Sequence, residues 1–370
     1  MNRATFKFIP LSILAIAGVF GQATTNDYTI TDPSSPPTAN QCAVYNGTGF
    51  VYRSCNNPDK LPADYNFSVA PGGSLSIGTN TVTFTPCPLG AAGTDVHHGV
   101  RISGGTGTAE TVKITGGTCT YGATTGTLQF TAANTHTGAF TLASNSGGVQ
   151  EAINAAIASS GRVLIPLGQI ALGPAAPSED GIIYISGPVT VAGGDNSING
   201  GSELYVTTST FAMVVGTGAG GSYPVNLSNF VIQGSGMASG GGIQFTADAT
   251  HNCYSAVQDM QFYTLPIGVD FKKGCVAQIH RNFFYAYTDT GLLIRNLYDP
   301  DVGDHSITSN EFLVIGAGGI GTRAILWTTG GGAKIIGNKF NTQGKGIDMD
   351  MTDPSIIVIV SDNSFDNQTD

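Results

Sequence analysis

The chain has 370 residues, of which 15 are basic and 25 acidic, and only 11% are charged. A net charge of −10 works against nucleic acid and anionic membrane surfaces, which select basic patches. Glycine supplies 52 residues, and Thr, Ser and Asn are common where Lys and Glu are scarce, a composition of strands and turns rather than helices.

Residues 1–23, "MNRATFKFIPLSILAIAGVFGQA", read as a secretory signal peptide. Arg3 and Lys7 form the basic region, Phe8 to Phe20 is a short apolar run, and Gly21 and Ala23 offer a cleavage site. The expected product is secreted to the extracellular space or cell surface. No later run approaches the roughly twenty apolar residues a spanning helix needs, so no membrane insertion is expected. Taking Arg3 and Lys7 from the 15 cations leaves 13 against 25 anions, a net of −12. An acidic polysaccharide stays compatible with that balance, because a groove can be locally basic. Six cysteines in an exported chain predict disulfides. Proximity pairs Cys42 with Cys55 and Cys87 with Cys119.

Residues 24–62, with "TDPSSPPTANQC", read as a linker or extended arm. Residues 63–145 alternate short β-like runs ("NTVTFTP", "ETVKITG", "GTLQFTAA") with Gly/Thr turns, which predicts a small β-sandwich-like module. His97, His98 and His136 read as surface or turn histidines, since a metal site needs a third ligand to which nothing nearby points.

The character then changes. "GGVQEAINAAIASSG" (147–161) places Val149, Ile153, Ala156 and Ile157 on one face at helical spacing. "RVLIPLGQIAL" (162–172) follows as a buried strand. Beyond it runs a repeat anchored on Phe262, Phe284, Phe312, Phe340 and Phe365, with Ile232 as an earlier member. Asn282, Asn310, Asn338 and Asn363 each precede an anchor by two positions, and a second strand follows at a variable distance ("GIQF", "GVDF", "GLLI", "RAILW", "GIDMD"). Short strands repeating every 20–30 residues with variable turns predict a right-handed single-stranded parallel β-helix. Coils stack about 4.8 Å apart, so Phe falls on Phe and turn asparagines can bond from coil to coil. Asn also tolerates the left-handed backbone of sharp turns. Cys253 and Cys275 each lie nine residues before their anchor, hence in one column, at a separation that permits a disulfide or a stacked pair. The helix at 149–158 would plug the open end of the solenoid.

The segment "VQEAINAAIASSGRVLIPLG" (149–168), with the Asn-x-Phe coils, resembles the pectate lyase superfamily, the right-handed β-helix proteins related to family 28 glycoside hydrolases and phage tailspikes. The resemblance covers about residues 146–370 and implies a capping helix followed by a parallel β-helix. It implies a polysaccharide as partner: a lyase or glycoside hydrolase acting on an acidic glycan, or a non-catalytic adhesin or tailspike-like module, as a monomer or a homotrimer. No catalytic residue carries over, because the Asp-Asp, Gly-His-Gly and Arg-x-Lys motifs of family 28 do not occur here. The chain stops at Asp370 before the last coil's second strand, so the expectation is a longer native chain or a partner covering the end.

Strand alternation assigns the outward positions of the second strand in each coil. Asp270 and Lys272, Leu293 and Arg295, Ile325 and Trp327, Asp348 and Asp350 are expected outward in successive coils. Asp270, Lys272, Arg295 and Trp327 then suit an acidic or hydroxyl-rich glycan, with a ring to stack on and cations for carboxylates. Asp348 and Asp350 at i, i+2 lie about 6.5–7 Å apart, near the lower end of an inverting glycosidase's carboxylate spacing. The wet side of any soluble strand shows the same pattern. "LYDPDVGDHS" (297–306) gathers Asp299, Asp301 and Asp304 in one turn, a candidate Ca²⁺ site or an ordinary polar turn.

Overall fold

The structure, a computed structural model, describes residues 41–45, 50–54, 59–87, 93, 98–120, 123–159, 161–216, 224–246, 253–272, 275–295, 305–314, 322–329, 332–342, 344–349 and 357–366. The chain forms two bodies, residues 1–57 and 58–370. In the first, Gln41–Tyr45 pairs antiparallel with Phe50–Ser54. In the second, strand Asp59–Lys60 adds in parallel to Arg162 and Val163. The stretch expected as an extended arm therefore carries a hairpin and the first strand of a sheet.

Residues 68–144 form a seven-stranded antiparallel sheet. Its alternating strands bury Val82, Phe84, Val100, Ile102, Val112, Ile114, Leu128, Phe130, Phe140 and Leu142 in one core. Strand Glu110–Gly117 belongs to two ladders. Its first half pairs with Gly99–Ile102, and beyond a register shift between Ile114 and Gly116 its second half pairs with Leu128–Phe130. A bulge of this kind bends the strand and increases its local twist. Gly117, at φ 136°, sits where a Cβ would collide with the Thr127 carbonyl. Cys87 and Cys119 form a disulfide across a Cα separation of 5.7 Å.

Two of the histidines expected at the surface are buried instead. His98 is 1% exposed and its Nε2 lies 2.7 Å from Glu151 Oε1. His136 is 0% exposed and its Nε2 lies 2.8 Å from Glu110 Oε1. Each carboxylate partner is distant in sequence, so the local Gly/Thr context gave no sign of it. His97 lies outside the described residues.

From residue 162 every third strand pairs in parallel, building three sheets. The first holds Arg162–Ile165, Val189–Gly193, Val225–Ser228, Cys253–Gln258, Cys275–His280, His305–Thr308, Ala333–Ile336 and Val358–Ser361. The second holds Gly168–Ala171, Ser202–Val206, Val231–Gly234, Gln261–Tyr263, Phe283–Tyr285, Glu311–Val314, Lys339–Thr342 and Ser364–Asp366. The third holds Gly181–Ile185, Phe211–Val215, Gly241–Phe245, Ile267–Phe271, Thr290–Arg295, Arg323–Thr329 and Lys345–Met349. This is a parallel β-helix, with the right-handed crossover that twisted strands favour.

The anchors behave as the repeat requires. Phe262, Phe284, Phe312, Phe340 and Phe365 stack with centroids 4.6–5.2 Å apart, and Ile232 is the register partner of Phe262. Burying each of the four rings from Phe262 to Phe340 contributes about 1.5–3 kcal/mol. Opposite them, Gly242, Gly268 and Gly291 open space in the third sheet. A Cβ there would approach the rings of Phe262, Phe284 and Phe312 to 2.8, 2.5 and 2.8 Å.

The asparagine ladder is continuous. Asn282, Asn310 and Asn338 each donate their backbone N–H and Nδ2 to the Oδ1 of the next rung at 2.9–3.0 Å. Each Nδ2 also donates to a carbonyl one coil back, of Val257, Ile279 and Ile307 respectively. The left-handed backbone expected of these asparagines falls one residue earlier, on Arg281 (φ 53°), Ser309 (φ 56°), Gly337 (φ 66°) and Asp362 (φ 56°). The preceding residue absorbs the turn and leaves the asparagine free to point inward.

Helix Val149–Ser159 closes the first coil with Val149, Ile153 and Ala156 fully buried. Its Gln150 Nε2 donates to the Tyr184 carbonyl at 2.8 Å, and Tyr184 N–H donates to Gln150 Oε1, so a side-chain amide satisfies the edge of the third sheet. At the other end, Met349, Val360 and Phe365 occupy inward columns yet are 44%, 43% and 50% exposed.

Candidate functional site on the third sheet

Register fixes the outer face of the third sheet. One column runs Ile267, Thr290, Arg323, Lys345, and the next Gln244, Asp270, Leu293, Leu326, Asp348. Asp270, Leu293 and Asp348 thus fall in the outward column assigned to them. Trp327 does not. It is 0% exposed, pairs in register with Ile294 and Met349, and meets the His305 ring edge-on at 5.6 Å inside the core. Ile325 is likewise buried, opposite Leu292. The expected outward pair Ile325/Trp327 is wrong by one residue, and Leu326 takes the outward place. Gly268 and Gly291, which face the phenylalanine stack, each lie two residues before the outward Asp270 and Leu293, and Ala324 and Gly346 hold the same offset from Leu326 and Asp348. A second irregularity, between Ile294 and Arg295, pairs Arg295 with Thr329 and hides the columns further.

Asp270 lies on the outer face but is 0% exposed. Arg295 grips its carboxylate bidentately, Nε to Oδ1 at 2.9 Å and an Nη to Oδ2 at 2.6 Å, and Gln244 Nε2 donates to Oδ2 at 2.9 Å. Hydrogen bonding to Asp270 holds the Arg295 guanidinium even more firmly charged than usual, against the opposing pull of burial. Lys272 Nζ stands 3.8 Å from Asp180. Two coils further on, Arg323 Nε donates to Asp348 Oδ2 at 2.8 Å, with Asp289 at 3.8 Å, and Lys345 Nζ reaches Asp348 Oδ2 at 3.3 Å. The Arg323 hydrogen bond, aided by Lys345, holds the Asp348 carboxyl below the usual range despite some burial.

Lys272, Arg295, Arg323 and Lys345 come from four successive coils, and their side chains remain 41%, 39%, 35% and 54% exposed. They flank a floor that includes Leu293 and Leu326. Each coil thus offers one accessible cation, repeating about every 4.8 Å along the axis, in a chain that is acidic overall. Arg323, Lys345, Gln244 and Leu326 escaped the reading of the sequence because their column is visible only once the register is known.

Asp350, Asp299, Asp301 and Asp304 lie outside the described residues. Cys253 and Cys275 are register partners in adjacent coils of the first sheet, and their side chains lie outside the described set. Among the described residues no three His, Cys, Asp or Glu side chains converge as a metal site.

No family model matches the chain, and no curated protein matches it. Among solved structures, the crystal structure of the tailspike protein gp49 from Pseudomonas phage LKA1 matches at 13% identity with a TM-score of 0.22. That match covers 81% of this chain and 64% of the other, so the chain spans less than two thirds of that protein.

Proposed function

We propose that this is an exported protein that binds an acidic polysaccharide along the outer face of the third sheet. One observation carries the reading: four successive coils of an acidic chain each present one accessible cation on the same face. A polyanionic glycan laid along the coil axis meets Lys272 and Arg295 at one edge and Arg323 and Lys345 at the other. Leu293 and Leu326 contact the apolar faces of its sugar rings between them. The reading is of binding and assigns no bond-breaking step to Asp348, whose carboxylate is engaged by Arg323 and Lys345.

The test is native electrophoresis through gels containing polygalacturonate or alginate. The wild type should be retarded, and less so as salt rises. Lys272→Ala/Lys345→Ala should weaken retention by about 0.2–1 kcal/mol per charge. Arg295 is unsuitable for this purpose, since its loss also strands buried Asp270. Equal retention of the double variant, or no retention of the wild type by either polyanion, would sink the proposal.

A further inference from the structure

The second sheet carries a different surface. Its inward residues Phe262 and Phe284 fill the core, so their neighbours Tyr263, Phe283 and Tyr285 point outward, all half-buried. The three rings form one shelf. Tyr263 and Tyr285 lie 4.9 Å apart in adjacent coils, and Phe283 lies 5.9 Å from each of them. Gln233 and Gln261 flank the shelf, Gln233 as the register partner of Tyr263 and Gln261 as that of Phe283. Tyr205 continues the tyrosine column beyond Gln233. Two charged groups next to the shelf are ion-paired, Glu311 accepting from Lys339 at 2.8 Å and Arg281 holding Asp259 bidentately at 2.7 Å, while Glu203 accepts a hydrogen bond from the neutral Gln169 amide at 2.7 Å.

We propose that this shelf is a second carbohydrate site, for an uncharged polysaccharide that seats a sugar ring on the aromatic platform. Aromatic faces stack on the C–H faces of pyranose rings, and amides serve hydroxyls as both donors and acceptors. With centroids 4.9 Å apart and a 39° tilt, the two tyrosine rings lean on each other and, with Phe283, form one platform. The nearest cations, Lys339 and Arg281, are each held by a carboxylate, which disfavours an anionic ligand. The aromatic strip is confined to two coils, far short of the about 800 Å² per partner that stable protein association buries. The site does not rest on the third-sheet reading, and the two can fail separately.

The experiment is affinity electrophoresis in gels containing a soluble neutral β-glucan, a galactomannan or polygalacturonate, with sedimentation velocity alongside. The wild type should be retarded by at least one neutral polysaccharide. Tyr263→Ala/Tyr285→Ala should lose that retardation, with affinity down by about tenfold or more, while its retardation by polygalacturonate is unchanged. Lys272→Ala/Lys345→Ala should show the reverse. If the double tyrosine variant does not fold, Phe283→Leu keeps apolar volume but removes a ring face, and should weaken neutral binding several-fold. The proposal is overturned if no neutral polysaccharide retards the wild type, or if the folded ring variants are retarded equally. It is also overturned if sedimentation shows a self-associated wild type that the ring variants dissociate, which would make the shelf a contact between copies.

Discussion

Asn310 is the rung where the ladder can be tested most sharply. It is 1% exposed and makes four side-chain hydrogen bonds. Its Oδ1 accepts from Asn282 N–H and Nδ2, and its Nδ2 donates to the Ile279 carbonyl and to Asn338 Oδ1. Asn310→Ala removes all four. Asn282 Nδ2 keeps the Val257 carbonyl and Asn338 Oδ1 keeps the residue-310 N–H, so the group stranded is the Asn282 backbone N–H, whose acceptor is removed. At about 1–3 kcal/mol for a buried group so stranded, the expected loss is about 1–3 kcal/mol. Asn310→Asp keeps the shape but turns two donors into acceptors facing oxygen. The introduced carboxyl should titrate above its unfolded value of about 3.9. Its variant is then closest to wild type below that pH and loses stability as pH rises through the folded value. Urea unfolding read by fluorescence of the single tryptophan, which lies in the same core, measures both. Because solenoids depart from two-state unfolding, hydrogen exchange at Asn282 N–H provides a local check. The reasoning fails if Asn310→Ala costs no more than exposed Gln278→Ala and leaves Asn282 protected.

Trp327→Ala should destabilise the β-helix by about 3–5 kcal/mol rather than remove a binding contact. In the wild type, tryptophan emission should be blue-shifted, resist acrylamide and stay unchanged on adding polygalacturonate; a quenchable, glycan-sensitive Trp327 would contradict its place in the core. The His98–Glu151 pair joins the N-terminal module to the capping helix. Burial pushes Glu151 up, but the His98 charge and hydrogen bond pull it down further, and its net position is lowered. Stability from this carboxylate is therefore present above the unfolded value of about 4.3 and lost as pH falls through the lower folded value. Melting temperature should drop over that window in the wild type and much less in Glu151→Gln; equal slopes would refute the linkage.

The coil architecture was legible because its determinants are periodic. Phenylalanine at a near-constant interval and asparagine two residues before it announce a stack and a ladder, and both sets of residues meet their equivalents in space. The capping helix was legible from one apolar stripe. What the pattern hid was parity. "RAILW" admits two alternations, and a reader drawn to an exposed tryptophan chooses the wrong one. Only the small residue facing the Phe stack decides it, and that constraint lies in another sheet. Buried His98 and His136 were illegible for a related reason: their carboxylates come from segments 53 and 26 residues away.

The relocation of Trp327 to the core changes what the third sheet can do. With no exposed indole there, affinity on that face rests on spaced cations, and each is already tied to a carboxylate. Asp180, Asp270, Asp289 and Asp348 hold Lys272, Arg295, Arg323 and Lys345 in place. Such pairs fix the orientation of long side chains that solvent would otherwise leave free, and a polyanion approaching the face meets preset donors. Net attraction is weakened by the same carboxylates, so the binding proposed there would depend on many sugars engaging several coils at once. The site proposed on the second sheet would work in the opposite way, through a few ring contacts that need no charge. A solenoid can carry both because its inward columns are fixed by packing, while each outward column is free to vary from coil to coil.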